Sequence, residues 1–239
     1  MGTIEPALPT AIQFYTTSSY DCSYLSGQRA RSLVAAPSHL IHSFYYGRLI
    51  DLGFRRSGTF TYRPHCDHCQ ACVPIRIDTL NFTATKNQRR QLKRYQHLRA
   101  TRRPLVWNPE HYALYRRYQA ARHAGSDMDN DDKSQYIQFL LSSHVHSYLI
   151  EFSDMDGVQM VALVDEVEQG LSAVYTFFNP DLSGLGTFAI LWQIQYCQQH
   201  HLPWLYLGYW IEQSRKMAYK TRFTPHQLFL HGEWVNPAS

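Results

Sequence analysis

The sequence predicts an α+β protein with two regions, residues 1–105 and residues 106–239. In the first region, helical and strand-like patterns alternate around a short run that contains three of the five cysteines. In the second region, three apolar strand-like segments with short turns are followed by a long helical pattern and further strands. This order is typical of an antiparallel meander that packs against a helix. We therefore expect a smaller cysteine-containing α+β domain followed by a larger α+β domain.

The composition is that of a globular protein, with 44% hydrophobic and 18% charged residues in a chain of 239. No apolar run approaches the roughly 20 residues of a membrane-spanning helix. The first ten residues lack the basic and apolar pattern of a secretion signal. Clustered cysteines in odd number, without such a signal, favour a reducing compartment. We expect a cytoplasmic protein without a membrane partner.

The first region contains a helix and two strands that flank the cysteine run. Ser38 is an N-cap residue for a helix that ends near Leu52, and Gly53 follows at the position where helix ends prefer glycine. Strands are predicted at 60–62 and 73–77. The cysteines are therefore expected in the connection between two strands.

The second region begins with helices and continues with strands. Asn108 and Pro109 open a helix that reaches about His123, and a polar loop at 125–132 separates it from a helix near 134–142. The remaining predicted elements are strands at 147–152, 159–167 and 171–178, a loop at 179–186, a helix at 187–201, and strands at 204–208 and 226–230. Turn residues between the first three strands indicate an antiparallel meander. Cys197 stands alone on the last helix and is expected to be a buried packing residue.

Basic residues are concentrated between Thr85 and Arg103, a segment without an acidic residue. Thr85 and Gln88 form a capping box, so a helix is predicted to begin here. Like charges four residues apart destabilise this helix in isolation, and a polyanion would remove that cost while releasing counterions. A solvated basic face is the alternative, but the absence of any acidic neighbour favours a nucleic acid. The predicted contacts, called the basic face below, are Arg89, Arg90, Lys93 and Arg94.

The run from His65 to Cys72 places Cys66, Cys69 and Cys72 three residues apart. Three thiols this close cannot all form disulfides with one another, whereas their spacing lets several sulfurs converge on one metal centre. The run therefore predicts either a metal–thiolate site or a set of reduced thiols around a pocket.

A short glycine-rich loop, S-G-L-G-T at residues 183–187, follows the predicted meander and opens a helix. Gly184 and Gly186 permit a ligand to approach the backbone closely, and the free N–H groups at a helix start favour phosphate. A plain turn is the alternative for so short a motif. The position of the loop resembles the acyl-CoA-binding turn of acetyltransferase-like (GNAT-like) folds. This resemblance implies a GNAT-like C-terminal domain that transfers an acyl group to an amine.

Five longer motifs resemble one particular family. They are D-C-S-Y-L-S-G-Q-R-A-R from Asp21, Y-Y-G-R-L-I-D-L-G-F-R-R-S-G from Tyr45, N-Q-R-R-Q-L-K-R from Asn87, S-A-V-Y-T-F-F-N-P from Ser172 and Y-L-G-Y-W-I-E-Q-S-R-K-M-A-Y-K from Tyr206. In this order they resemble the bacterial aspartate/glutamate leucyltransferases, relatives of the eukaryotic arginyl-tRNA–protein transferases, over nearly the whole chain. The departures are small. Ser26 stands where the family usually has proline, Asn87 where serine is common, and Asn179 where aspartate is common.

The resemblance implies an enzyme that moves leucine from leucyl-tRNA to the N-terminal amine of proteins that begin with Asp or Glu. The product would carry a destabilising N-terminus that the cytoplasmic degradation machinery reads. The tRNA would contact the basic face, and Gly184 and Gly186 would hold phosphates near its charged 3′ end. The reaction itself requires no cofactor.

The resemblance also bears on the cysteines. In the eukaryotic relatives, N-terminal cysteines carry an iron–sulfur cluster. Here Cys22 matches the first cysteine of the expected pair, but Leu25 occupies the second position. An iron–sulfur cluster or zinc held by Cys22, Cys66, Cys69 and Cys72 is therefore one expectation, and reduced thiols around the substrate pocket are the other. These four residues are called the cysteine cluster below.

The chemistry requires little from the protein, because an aminoacyl ester is already activated. The enzyme has to hold a neutral amine against the ester carbonyl, stabilise the oxyanion and let a proton leave. Candidates for the proton path are Tyr175, Tyr209 and Glu212, and each has an alternative role in packing or in a surface ion pair. Fixed cations would select an acidic N-terminus. The candidates are Arg76 and the pair Lys216 and Lys220, which share a face if their segment is helical and for which phosphate is the alternative ligand.

Two other functions fit the same features. A CoA-dependent N-acetyltransferase would use the same fold, although the glycine-rich loop lacks the basic residue expected to open a CoA-binding turn. A non-catalytic, metal-stabilised nucleic-acid-binding module would bind tRNA without turnover. The residues themselves also do not decide whether the transferred amino acid is leucine or another one such as arginine.

Overall fold

The computed structural model describes residues 11–122 and 132–237. The helices are α1 (Ser43–Asp51), α2 (Lys86–Arg94), α3 (Pro109–Arg122), α4 (Lys133–Tyr136), which continues as a π-helical turn (Ile137–Leu141), and α5 (Leu185–Gln199). Single 3₁₀ turns lie at Ser38–Leu40 and Ala218–Arg222. The strands are β1 (Gln13–Thr16), β2 (Tyr20–Asp21), β3 (Arg29–Ala30), β4 (Ser32–Ala36), β5 (Arg55–Ser57), β6 (Phe60–Pro64), β7 (Val73–Asp78), β8 (Arg99–Arg103), β9 (Ser147–Asp154), β10 (Gly157–Val167), β11 (Gly170–Phe178), β12 (Trp204–Trp210), β13 (His226–Leu230) and β14 (Glu233–Val235). Within the described residues, no helix combines the length and the apolarity needed to cross a bilayer.

The strands form two larger sheets and a short hairpin. The large sheet has the order β14-β13-β7-β12-β11-β10-β9-β8, with β11 and β12 parallel and its other neighbours antiparallel. A four-stranded antiparallel sheet has the order β1-β4-β6-β5, and β2 pairs with β3. This mixture of helices and sheets confirms the α+β class. Strands β7 and β8 precede residue 106 and yet lie in the large sheet, and the domain boundary at 105 stays a prediction.

Helices cover both faces of the large sheet. Successive residues of a strand point to opposite faces, and β10 shows the two environments. Met160 and Val164 pack in one cluster with Phe188 of α5, whereas Val161 and Leu163 pack in another with helix α3. Because both of its faces are covered, β10 is apolar over most of its length.

A buried ion pair joins the four-stranded sheet to the large sheet. Arg56 on β5 donates from Nε to Oδ2 of Asp165 on β10 over 2.8 Å, and Ser147 Oγ donates to Asp165 Oδ1 over 2.7 Å. The two charged side chains are 2% and 0% exposed. Because both charges are removed from water, Arg56 and Asp165 each need the other as a charge partner. The pair therefore fixes how β5 lies against β10 and β11.

Most of the predicted elements are confirmed. The meander β9-β10-β11 is antiparallel, and α5, β12 and β13 follow in the expected order. Thr85 and Gln88 form the capping box, since Thr85 Oγ1 accepts from the Gln88 backbone N–H and Gln88 Oε1 accepts from the Thr85 N–H. Gly53 follows α1 with a φ of +81°. Cys197 is fully buried, as expected for a packing residue.

The helix predicted from Ser38 begins later, at Ser43. Ser38–Leu40 forms a single 3₁₀ turn, and Ile41 then leaves the helical conformation with φ −91° and ψ 73°. Ile41 is 2% exposed and belongs to the core cluster beside β4 and α1. Burial of this side chain therefore outweighs the N-cap signal of Ser38. At the end of the helix predicted from Asn108, His123 and most of the predicted loop 125–132 lie outside the described residues.

Strands β1 to β5, β8 and β14 were not predicted. These segments are short, and several lack the alternation of apolar and polar residues that indicates a strand. All four residues of β1 are exposed. Strand β8 contains Arg99, Arg102 and Arg103 and forms an edge of the large sheet, where charged side chains are common.

Candidate functional site

Strands β11 and β12 separate partway along their length. They pair in parallel over only three residue pairs at their start, although β11 continues to Phe178 and β12 to Trp210. On its other side, β12 shifts its register with β7 between Tyr206 and Tyr209. Gly208, inside this bulge, has a φ of +71°, which favours glycine. The bulge frees backbone groups from the ladder, and the gap beside it is the candidate site.

Two cavities lie beside the bulge and share a wall that includes Gly53, Pro74 and Tyr209. The smaller cavity has a volume of about 20 Å³ and is also lined by Arg55 and Gly208. The larger cavity has a volume of about 510 Å³ and is lined by all four residues of the cysteine cluster. The bulge in β12 and the cysteine cluster are therefore brought to one place.

Lys220 is buried beneath the bulge. Its Nζ donates to the carbonyl oxygens of Leu207 over 2.8 Å and of Tyr209 over 2.6 Å. Burial, and to a lesser degree the Arg55 guanidinium, lowers the pKa of Lys220 from 10.5 to about 7. Near neutral pH this amine is therefore divided between its charged and neutral forms.

Lys216 lies in different surroundings. It is exposed, and its Nζ donates to the carbonyl oxygen of Arg122 over 3.5 Å. Its segment is a turn followed by the 3₁₀ helix Ala218–Arg222 rather than an α-helix. Lys216 and Lys220 therefore do not share a face. Their role in selecting an acidic N-terminus stays a prediction.

The structure places the three proton-path candidates in separate environments. Tyr209 is buried at the shared cavity wall, and its O–H lies 3.2 Å from the carbonyl oxygen of Gly53. Burial raises the pKa of Tyr209 well above its ordinary value, so the phenol stays protonated. The O–H of Tyr175 lies 3.4 Å from Gln119 Oε1, on the face of the large sheet that α3 covers. Glu212 is exposed just after β12. Their catalytic roles stay predictions.

Arg76, the third cation predicted to bind an acidic N-terminus, is already engaged within the protein. Its guanidinium carbon lies 3.8 Å from the ring centroid of Trp204 and 4.4 Å from that of Trp234. Its Nε donates to Gln227 Oε1 over 2.9 Å, and Nη1 lies 3.4 Å from Asp51 Oδ1. A ligand carboxylate would have to compete with these contacts.

The cysteine cluster meets at the larger cavity as free thiols. Burial, followed by the neighbouring thiols of Cys22, Cys66 and Cys69, raises the pKa of Cys72 to about 12. The thiol of Cys66 donates to the backbone carbonyl oxygen of Arg31 over 3.8 Å. Among the described residues, no three His, Cys, Asp or Glu side chains are grouped so that they could hold a metal ion. Metal binding by the cysteine cluster stays a prediction.

The basic face and the glycine-rich loop lie next to each other. Arg94 Nη1 donates to Ser183 Oγ over 3.1 Å, and Tyr95 O–H donates to the Ser183 carbonyl oxygen over 2.6 Å. Gly184 has a φ of +87°, and a Cβ there would lie 2.4 Å from Gln91 Oε1. All four residues of the basic face are exposed, and none forms an ion pair with an acid in the part of the chain that the structure describes. Two elements predicted to contact tRNA thus form one continuous surface.

Arg55 is the residue of this site that the sequence analysis did not single out. It lies on β5 in the motif G-F-R-R-S-G, directly before the buried Arg56. Its guanidinium carbon lies 5.7 Å from the ring centroid of Tyr209, and a Cβ at Gly208 would lie 3.4 Å from its Nη1. The doubled arginine was the only sequence signal, and it does not indicate which of the two faces the site.

The chain matches known proteins over most of its length. Residues 20–90 match the family described as Arginine-tRNA-protein transferase, N terminus, and residues 110–230 match Arginine-tRNA-protein transferase, C terminus. A relative from Nitrosospira multiformis, named Aspartate/glutamate leucyltransferase, is 53% identical over 98% of this chain and 94% of its own length. A relative of the same name from Thiobacillus denitrificans is 57% identical over 93% of this chain and 94% of its own length. Among solved structures, the structure of L-PGS from Bacillus licheniformis aligns with a TM-score of 0.47 at 10% identity, over 60% of this chain and 48% of that chain.

The two family matches and the two bacterial relatives define the class of the protein as a transferase enzyme. The chain belongs to the family of arginine-tRNA-protein transferases. Its relatives from the two bacteria above share the narrower name Aspartate/glutamate leucyltransferase. The family resemblance of the sequence motifs is thereby confirmed.

Proposed function

We propose that this protein transfers leucine from leucyl-tRNA to the N-terminal amine of proteins that begin with Asp or Glu. The observation that supports this most strongly is the similarity to relatives named Aspartate/glutamate leucyltransferase. Their identity is 53% and 57% over nearly the full length of this chain and of each relative. The product bears a new N-terminal leucine, and its proposed consequence is degradation through the N-degron pathway in the cytoplasm.

The surface around α2 supports the tRNA part of this proposal. The basic face offers four exposed cations on a helix whose other side packs on α5 through Gln91 and Leu92. The start of α5 adjoins this surface through the Arg94–Ser183 contact. Phosphates of the acceptor end would bind here, with the glycine-rich loop allowing close approach to the backbone.

The reaction is the aminolysis of an ester. The nitrogen of the acceptor amine forms a bond to the leucyl carbonyl carbon, the ester bond to the tRNA ribose breaks, and the amine proton is passed on to the leaving oxygen or to solvent. Because the ordinary pKa of an α-amine is about 7.7–8.0, part of it is already neutral at neutral pH. The protein therefore accelerates the reaction mainly by positioning the two substrates. No cofactor takes part in the proposed reaction.

The separation of β11 from β12, with α5 starting beside β11, supports a GNAT-like arrangement of the second region. In such an arrangement the aminoacyl ester would lie in the gap between the two strands. The bulge at Gly208 would then present backbone groups of β12 to the substrates. The proton path through Tyr175, Tyr209 or Glu212 stays part of this proposal.

A transfer assay tests the function directly. Purified protein is mixed with tRNA charged with labelled leucine and with peptides that differ only in a first residue of Asp, Glu, Ala or Lys. We expect transfer to the Asp and Glu peptides and little to the other two. Equal transfer to all four peptides would contradict the acceptor assignment. Transfer from arginyl-tRNA alone would contradict the leucyl assignment, and acetyl transfer from acetyl-CoA would favour an N-acetyltransferase.

A further inference from the structure

Five arginines line the two cavities. The side chains of four of them have an ion-pair or hydrogen-bond partner, and that of the fifth has none among the described residues. The paired residues are Arg29 with Asp21, Arg31 with Asp67, Arg56 with Asp165, and Arg63, which donates to the Leu52 carbonyl oxygen. The guanidinium of Arg55 forms neither a hydrogen bond nor an ion pair with any other residue that the structure describes, and contacts the ring of Tyr209. Cations removed from bulk water are generally paired, so an unpaired one beside a cavity requires an explanation.

The surroundings of Arg55 are aromatic rather than acidic. Its guanidinium interacts with the phenols of Tyr62, Tyr24 and Tyr209, which together raise its pKa, so it remains charged. Tyr24, Tyr62 and Tyr209 all line the larger cavity, whereas Arg55 itself lines the smaller one. The guanidinium therefore lies at the boundary between the two cavities. Arg55 as a whole residue is half-buried, and its position between the two cavities gives a ligand access to it.

We infer that Arg55 binds the side-chain carboxylate of the acceptor's N-terminal Asp or Glu. This inference rests on the proposed function and names the residue that provides its acceptor specificity. A guanidinium presents a planar pair of N–H donors that matches a carboxylate, and both hydrogen bonds would be charge-assisted. The cations predicted from sequence are less suited to this role. Arg76 has Asp51 and Gln227 as partners, and Lys220 donates to two backbone carbonyls.

The space at this position agrees with an acceptor N-terminus. The larger cavity, of about 510 Å³, falls within the roughly 300–1,000 Å³ typical of ligand pockets. Gly208 borders the guanidinium, because a Cβ at this position would lie at an ordinary contact distance of 3.4 Å from Nη1. A carboxylate on Arg55 would lie beside the bulge of β12, and its α-amine would then be close to the gap between β11 and β12. One residue would thus both select the acidic side chain and place the amine.

The test is a comparison of Arg55→Gln and Arg55→Lys with the wild-type protein on matched acceptor peptides. Asp is paired with Asn and Glu with Gln at the first position, so only the charge differs within each pair. For Arg55→Gln we expect kcat/KM on the Asp and Glu peptides to fall at least about 30-fold, because one partner of a desolvated charge pair is lost. The Asn and Gln peptides should be unaffected. Arg55→Lys keeps the charge but loses the paired donors, and should lose at least about tenfold on Asp and Glu.

Arg63→Gln is the matched control, because Arg63 lines the neighbouring larger cavity and donates to the backbone carbonyl of Leu52. It should leave the ratio of Asp to Asn transfer unchanged. Unchanged Asp and Glu kinetics in Arg55→Gln would overturn the inference. A loss of leucyl-tRNA affinity with an unchanged Asp to Asn ratio would also overturn it, and would assign Arg55 to a tRNA phosphate. If Arg55→Gln does not fold, Arg55→Lys decides by the same criteria. Failure of the wild-type protein to transfer leucine at all would instead contradict the proposed function.

Discussion

Replacement of Lys220 by Met should change how the stability of the protein depends on pH. The wild-type amine is buried among the carbonyl oxygens of Leu207 and Tyr209, and its pKa is lowered from 10.5 to about 7. Cys72 and Arg55 are the ionisable groups that act on it, and Arg55 reinforces the effect of burial. Lys220→Met removes this titration while it keeps most of the side-chain volume.

The sign follows from the protons bound in each state. Between pH 7 and pH 10.5 the unfolded chain holds the Lys220 proton and the folded protein releases it, so the wild-type free energy of unfolding rises with pH in this window. Below pH 7 both states are protonated and the dependence ends. The slope is at most about 1.4 kcal/mol per pH unit, so the rise from pH 7 to pH 9 is about 2 kcal/mol. In Lys220→Met this contribution is absent.

The assay is denaturant unfolding of both proteins at pH 7, 8 and 9. The difference between their unfolding free energies cancels the titration of the other groups, which both proteins share. It should shift in favour of the wild type by about 2 kcal/mol over this range. A difference that stays constant with pH would refute the reasoning. It would mean that the two carbonyl acceptors keep Lys220 charged, with a pKa near its ordinary value.

Three further predictions concern the buried ion pair, the basic face and the cysteine cluster. Asp165→Asn leaves the Arg56 guanidinium buried without its charge partner and should lower the unfolding free energy by about 3–5 kcal/mol, whereas Asp21→Asn at an exposed pair should cost less than about 1 kcal/mol. Equal effects in denaturant unfolding would contradict this. Replacement of all four basic-face residues by Gln should lower the log–log salt slope of tRNA affinity by up to about four, with little change in stability. An unchanged slope would mean that the basic face is only solvated. If the cysteine cluster binds metal, anaerobically purified protein contains iron or zinc, and each Cys→Ser variant loses it and is less stable. Elemental analysis that finds neither metal would show that the ligand prediction is wrong.

Local signals were sufficient to predict elements whose structure depends on neighbouring residues. The capping box at Thr85 and Gln88, the glycine after α1 and the antiparallel meander are all specified by residues close in sequence. Caps and tight turns require particular side chains at fixed offsets, so these signals are visible in the chain itself. The Ser38 prediction was wrong because a nonlocal effect, the burial of Ile41, decided the start of the helix.

The candidate site was only partly predictable for the same reason. The basic run, the glycine-rich loop and the cysteine run each stand out in the sequence, but their contacts do not. The contact between Arg94 and Ser183 spans 89 residues, and Lys220 reaches carbonyl oxygens on β12 because a 3₁₀ turn folds it beneath the strand. Lys216, four residues earlier, stays at the surface. Spacing alone therefore did not indicate which lysine is buried.

By itself, the sequence determined the α+β class, the order of the main elements and the transferase family, because these depend on local patterns and on long motifs. The tertiary structure decided which cations remain available to a ligand. Arg55 and Arg56 are adjacent and identical in chemistry, but neighbouring residues of a strand point to opposite faces. Arg56 pairs with a carboxylate 109 residues away on β10, whereas Arg55 lies among tyrosine phenols and lines a cavity. Only the packing of β5 against the large sheet distinguishes the two, since partners so distant in sequence are set by the fold.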